Sequence, residues 1–421
     1  MMRNGRGAAA GNGAGQGARR LLAGAIALGL LSLAPVAATE TKAPAATPAP
    51  TICATPLARL DANFPAAAAG QCATHGERSF TLTLSPEDAP PINCSPWYGF
   101  RLTPMAGKRQ RIEIALDYTA CGHRYWPKTS PDGVTWTPLP EKQVTLFEED
   151  GRRRARFHVA LGDAPLFVAG QEIIAPATYD AWLADKARHP HAQRSLLGRS
   201  AEGRDIELLT IAGPGAGGEQ VLLLGRQHPP EITGALAMFH FVDAILSDDP
   251  VAKAYRARFT TLVVPMLNPD GVARGYWRHA TGGLDLNRDW GPFTQPETRL
   301  VQRLAADIDA DPARKLRLLL DFHSTRKDVI YTLTDDQATD PPNVTAAWID
   351  RYQQRMPGYT VERDASHNAG LPTSKSWGYE TYRIPTATFE LGDETPRPLI
   401  ARIGRQAALA MMEAMLATPR P

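Results

Sequence analysis

Beyond Ala175, short apolar runs alternate with segments of helical spacing, and no other feature of the 421-residue chain constrains its fold as strongly. The runs are Glu207–Ala212, Val221–Gly225, Phe259–Leu267, Leu316–Phe322 and Pro385–Leu391. Helical spacing is found from Tyr179 to Arg188, in Leu236, Phe239, Val242 and Leu246, from Leu300 to Ile308, and from Ile400 to Leu416. Strands apolar along their whole length are covered on both faces. The pattern therefore predicts an α/β layer fold over residues 176–421, with a largely buried sheet.

Upstream the period changes to two. Phe80–Leu84, Arg111–Leu116 and Ala155–Leu161 alternate apolar with polar residues, and turn formers such as Glu87–Pro91 and Ser130–Gly133 separate them. Residues 52–175 are expected to form a small all-β antiparallel sandwich, an accessory domain with no cluster of residues that suggests chemistry. Its aromatic residues, Trp97, Tyr98, Tyr125 and Trp126 among them, read as packing.

Residues 1–38 carry Arg3, Arg6, Arg19 and Arg20 and no acid, then an apolar run from Leu21 to Ala34 and small residues at Val36–Ala38. This has the form of an export signal and predicts a periplasmic or secreted protein. The run is shorter than the ~20 residues that span a bilayer, so no stable membrane span is expected once the signal is removed. Residues 39–51, rich in Ala, Pro and Thr, read as a linker. The net charge of +2 falls below zero without the leader's four arginines, which argues against nucleic acid as a partner. Cys53, Cys72, Cys94 and Cys121 lack metal-site spacing and suggest two disulfides. Of the three pairings that can be drawn, proximity favours Cys53–Cys72 with Cys94–Cys121.

Several predicted strands end in polar clusters. Val221–Gly225 leads to His228 and Glu231, and Phe259–Leu267 leads to Asn268–Gly271 and on to Arg278. Leu316–Phe322 ends on His323, and the last run delivers Glu390. Ligands bind outside the carboxyl ends of strands in open α/β sheets. Two histidines and a carboxylate suit a catalytic zinc, which takes three protein ligands and keeps a fourth position for water.

His228-Pro-Pro-Glu231, Asn268-Pro-Asp-Gly271, Gly283-Leu-Asp-Leu-Asn-Arg288, Asp321-Phe-His-Ser324 and Thr388-Phe-Glu-Leu391 occur in this order. Over roughly residues 176–417 the chain resembles the zinc metallocarboxypeptidase family, which implies an α/β fold with a mixed sheet flanked by helices. Ser95–Phe100, His123–Lys128 and Ser130–Trp136 are similar to the β-rich domain of its cytosolic-carboxypeptidase-like subfamily. The resemblance implies that His228, Glu231 and His323 hold one Zn2+ ion. It makes Glu390 the general base that activates a zinc-bound water, and Arg278 the group that stabilises the oxyanion. Asn287 and Arg288 would bind the carboxylate of a peptide or protein C-terminus, with Asp285 orienting a zinc-bound histidine. The family's mobile tyrosine has no counterpart in Asp364–Gly370, where His367 and Asn368 stand. The family's pocket-floor position, fifteen residues before the base, is Lys375, which implies a preference for acidic C-terminal residues. Two other readings are a zinc amidase acting on cell-wall peptides and a catalytically inactive peptide-binding protein on the same scaffold.

Overall fold

The computed structural model describes residues 52–87, 97–105, 107 and 109–420. The expected export signal, the linker and Cys94 lie outside the described residues. Two sheets form the first part. One has the order β1 (Ile52–Ala54), β2 (Ala58–Asp61), β5 (Gly99–Pro104), β11 (Leu166–Ala169), β7 (Lys128–Ser130) and β8 (Thr137–Pro138). The other has the order β3 (Gln71–Thr74), β4 (Ser79–Leu84), β6 (Gln110–Tyr118), β10 (Arg152–Leu161) and β9 (Val144–Glu149). Alternation works as expected: Phe80, Leu82, Ile112, Ile114 and Phe157 point inward against Leu60, Phe100 and Leu102 of the facing sheet.

The sandwich is not purely antiparallel, because β4 pairs with β6 in parallel. Between them the chain crosses to the other sheet to form β5, which gives it the length to re-enter in the same direction. A disulfide joins Cys53 on β1 to Cys72 on β3, one from each sheet. Cys121 is also disulfide-bonded.

The second part is built on one mixed eight-stranded sheet. Its order is β12 (Ala192–Arg199), β13 (Asp205–Ile211), β15 (Phe259–Val264), β14 (Glu219–Gly225), β16 (Lys315–Thr325), β19 (Thr386–Gly392), β17 (Val329–Thr332) and β18 (Arg363–Asp364). The central strands β15, β14, β16 and β19 run parallel. The helices are α1 (Pro176–Lys186), α2 (Ile232–Leu246), α3 (Pro250–Arg256), α4 (Pro269–Arg274), α5 (Pro296–Asp309), α6 (Val344–Arg355), α7 (Ser374–Tyr382) and α8 (Arg397–Leu416).

Successive strand residues point to opposite faces, so the apolar runs feed two cores. Val221, Leu223, Leu318, Leu320, Phe322 and Phe389 pack against α2, α6 and α8. Leu222, Leu224, Leu262 and Leu319 pack against α5 and Trp377 of α7. Each fully buried leucine contributes about 1.5–3 kcal/mol, which is why these runs hold the centre of the sheet.

Two of the strand limits that differ from expectation bear on the site. The strand beginning at Phe259 stops at Val264, where Pro265 cannot continue the ladder. β16 runs on to Thr325, so His323 lies within a strand and shares a face with Asp321. Among the described residues no helix is long and apolar enough to cross a membrane.

Candidate active site

His228 sits in the loop that follows β14. Arg226 there takes a left-handed φ of 51°, and its buried side chain holds the turn by donating to Pro229 O (2.6 Å), Ile174 O (3.2 Å) and Tyr179 Oη (3.3 Å). Asn268 caps α4 and donates through Nδ2 to Gln227 O and His279 O, both at 3.0 Å, which ties the His228 loop to the segment carrying Arg278. Glu231 is the N-cap of α2.

The first turn of α2 lies directly on β16. Gly234 permits this, since a Cβ there would be 2.4 Å from His323 O. Ser324 Oγ bridges the two elements, accepting from Gly234 N at 2.9 Å and meeting Thr233 Oγ1 at 2.8 Å.

The three ligand candidates converge. Glu231 Oε1 is 2.8 Å from His228 Nδ1, and Oε2 is 2.7 Å from His323 Nδ1. One atom from each residue lies within 4.8 Å of the others. Each ring's far nitrogen meets a carboxylate: His228 Nε2 is 2.8 Å from Asp285 Oδ1, and His323 Nε2 is 2.9 Å from Asp321 Oδ2. A carboxylate on Nε2 fixes the proton there and leaves the Nδ1 lone pair for a cation. Two such rings with a carboxylate between them fit a zinc ion.

Asp321 is the partner that sequence reading missed. Its two-residue offset from His323 was the available signal, because strand period two puts both side chains on one face. Gln227 Nε2 and Ser374 Oγ also donate to Asp321 Oδ2.

Glu390 stands opposite His323 in the parallel pairing of β16 with β19. Its Oε2 is buried and has no hydrogen-bond partner among the described residues. Burial first, and the Glu231 charge second, push its carboxyl up to about 7. Burial alone would lower His228, but the Glu231 and Asp285 carboxylates outweigh it and hold the ring above its ordinary value. Asp321 and Glu231 likewise carry His323 well above its own. Burial would raise Glu231, and the charges of the two rings overturn that and lower it.

These directions set a pH dependence for the metal-free protein. Groups raised on folding stabilise at low pH and lose that contribution as pH passes their folded values. Glu390 does so up to about 7, and the two rings do so above 6.5. Glu231 is already ionised in both states at pH 6, so it adds nothing further. With chelator present, Tm is expected to fall by a few degrees between pH 6 and pH 8. Zinc should raise it more at pH 8, since binding requires neutral rings. A Tm that stays level or rises under chelation contradicts this account.

Arg278 Nη2 lies 2.6 Å from Asp285 Oδ2, so Asp285 joins Arg278 to His228. Asp285 Oδ1 also accepts from Asn287 N at 2.8 Å. Asn287 Oδ1 accepts from Ser374 N at 3.1 Å, and Arg288 Nη1 donates to Asn287 O at 2.7 Å. His228, Glu231, His323, Asp285, Arg278, Asn287 and Arg288 thus form one connected group. Lys375 is outside this network: it is buried in the first turn of α7 and donates from Nζ to Thr332 O at 3.1 Å.

The β-sheet part reaches the site as well. Arg124 donates from Nε to Asp393 Oδ2 (2.6 Å) and from Nη2 to Ser324 O (3.3 Å), beside the ligand strand. Glu87 contacts the backbone around Arg278. Sequence reading found no chemistry in this part, because these contacts join residues 190 to 269 positions apart.

Residues 179–408 match the family model Peptidase_M14, described as zinc carboxypeptidase. The match covers more than half of the chain, and the chain belongs to this family. It is 26% identical over 292 residues to human cytosolic carboxypeptidase 6, covering 63% of this chain and 56% of that one. It is 36% identical over 163 residues to cytosolic carboxypeptidase 2 of Xenopus tropicalis, covering 35% and 16%. The chain therefore spans little more than half, or less, of the length of these relatives. A metallo-carboxypeptidase from Burkholderia cenocepacia has a similar fold, with a TM-score of 0.71 at 20% identity over 85% of this chain and 99% of that one.

The expected periplasmic or secreted location is corrected by these matches. The relatives matched are named cytosolic carboxypeptidases, which counts against the expected export. The export reading rested on arginines before a short apolar run, a pattern of composition that no packing constrains.

Proposed function

We propose that the protein is a zinc-dependent carboxypeptidase that hydrolyses the last peptide bond of peptide or protein C-termini and prefers an acidic final residue. The observation that carries this reading is the meeting of His228, Glu231 and His323, both rings backed by carboxylates, beside Glu390 Oε2, which has no partner among the described residues. Bound by those three residues, a zinc ion would supply Lewis acidity toward the scissile carbonyl and toward water.

The chain's own groups do the rest. Glu390 takes a proton from the attacking water and passes it to the departing amine, a role suited to a carboxyl raised toward neutrality. Arg278 offsets the negative charge that grows on the carbonyl oxygen. Asn287 and Arg288 hold the terminal carboxylate, for which the guanidinium fork is shaped.

Lys375 carries the specificity. Burial pulls its ammonium below the ordinary lysine range, a cost that a substrate carboxylate would offset. With peptides ending in Glu, Lys or Phe, the Glu peptide should be released fastest, and only with zinc present. Lys375→Leu should reduce that preference by about 10-fold or more. Equal rates for the three peptides would end the specificity claim, and no zinc-dependent release from any of them would end the activity claim.

A further inference from the structure

Glu87 comes from the β-sheet part, just after β4, yet its carboxylate accepts from three successive backbone amides of the second part. Oε1 takes Trp277 N at 2.7 Å, and Oε2 takes Arg278 N at 3.2 Å and His279 N at 2.6 Å. Converging successive N–H groups form an anion-binding nest, and here a side chain from elsewhere in the fold fills it. We propose that Glu87 is the positioning residue for Arg278, and that the β-sheet part thereby sets the geometry of the site. The inference rests on the role given to Arg278 above.

Three further contacts seat the same segment. Ala66 N donates to Ala273 O at 3.0 Å, and the Trp97 indole donates to Ala66 O at 2.9 Å. Gly275 takes a φ of 67° and comes so close to the β-sheet part that a Cβ would lie 2.1 Å from Ala67 O. Trp277 packs against Trp97 and Ala169. Residues 273–279 are thus fastened at both ends to the β-sheet part.

From there the path to the ligands is short. The backbone of Arg278 is held by Glu87, its guanidinium meets Asp285 at 2.6 Å, and Asp285 meets His228 at 2.8 Å. Burial pushes the Glu87 carboxyl above its ordinary value, and the three amides oppose that rise. A charge kept at this cost, accepting from three backbone amides of one segment with the His279 ring 3.9 Å away, serves that segment. Glutamine in its place has one acceptor oxygen instead of two and turns an NH2 group toward an N–H donor.

The test uses the full-length, zinc-loaded protein. Glu87→Gln should speed hydrogen exchange at the Trp277–His279 amides by at least 10-fold and lower kcat by about 10-fold, with KM within 2-fold of the parent. In an Arg278→Ala background it should cause no further loss of kcat, since residues acting as one unit are not additive. Should Glu87→Gln not fold, Glu87→Asp keeps the charge, shortens its reach and should give the same exchange and kcat changes. Unchanged exchange at those amides overturns the proposal. An equal loss of kcat with and without Arg278 overturns it too. If the parent releases C-termini but Glu87→Gln matches it, this inference fails while the assigned activity stands.

Discussion

Glu390→Gln is expected to lower kcat by about 10³-fold or more while the protein keeps its metal and its fold. General base catalysis alone is worth roughly 10²- to 10⁴-fold. Glutamine preserves size and shape but cannot take a proton from water. The substitution also removes a carboxyl whose Oε2 is buried without a partner among the described residues, so the metal-free variant should be no less stable than the parent. Kinetics on a single peptide, beside metal analysis of both proteins, measures this. Loss of metal together with activity would mean that Glu390 is a ligand. Retained hydrolysis would mean that the base is elsewhere.

The second large effect is expected at Arg278. Arg278→Ala should cost about 10²- to 10³-fold in kcat with a much smaller change in KM, as removal of an oxyanion donor does. It also leaves Asp285 Oδ2 without its 2.6 Å partner. Arg278→Lys should recover only part of the loss, because a single ammonium cannot both hold Asp285 and reach a substrate oxygen. If either variant lowers kcat by less than about 3-fold, charge compensation at the carbonyl does not come from this side chain.

How much of this was legible beforehand depended on how local each signal is. The central strands were readable because burial on both faces leaves continuous apolar runs, as in β14 and β16. The short strands β17 and β18 were not, since four and two residues carry no period. The edge strand β12 was missed too: its mixed exposure erases the apolar run. His228 and Glu231 share one turn, and His323 and Glu390 sit in short motifs, so their chemistry shows in the order of residues. Arg124 and Glu87 meet the site only through the fold; the His123–Lys128 motif marked the β-rich domain but gave Arg124 no role. The location inferred from residues 1–38 was overturned for the opposite reason. It was local, with nothing in the rest of the chain to test it.

Gly234 gives the site a property that its ligand distances alone do not express. Glu231 and His323 belong to different elements, yet the backbones of those elements touch at Gly234 with no side chain between them. Helix and strand are geared together at that point and cannot slide independently. The spacing of the Glu231 and His323 backbones is therefore set by a backbone-to-backbone seam, which has no rotamers to relax through. Such a joint would tie the proposed metal site to the scaffold, leaving the side-chain rotamers of Glu231 and His323 to adjust to a different ion radius.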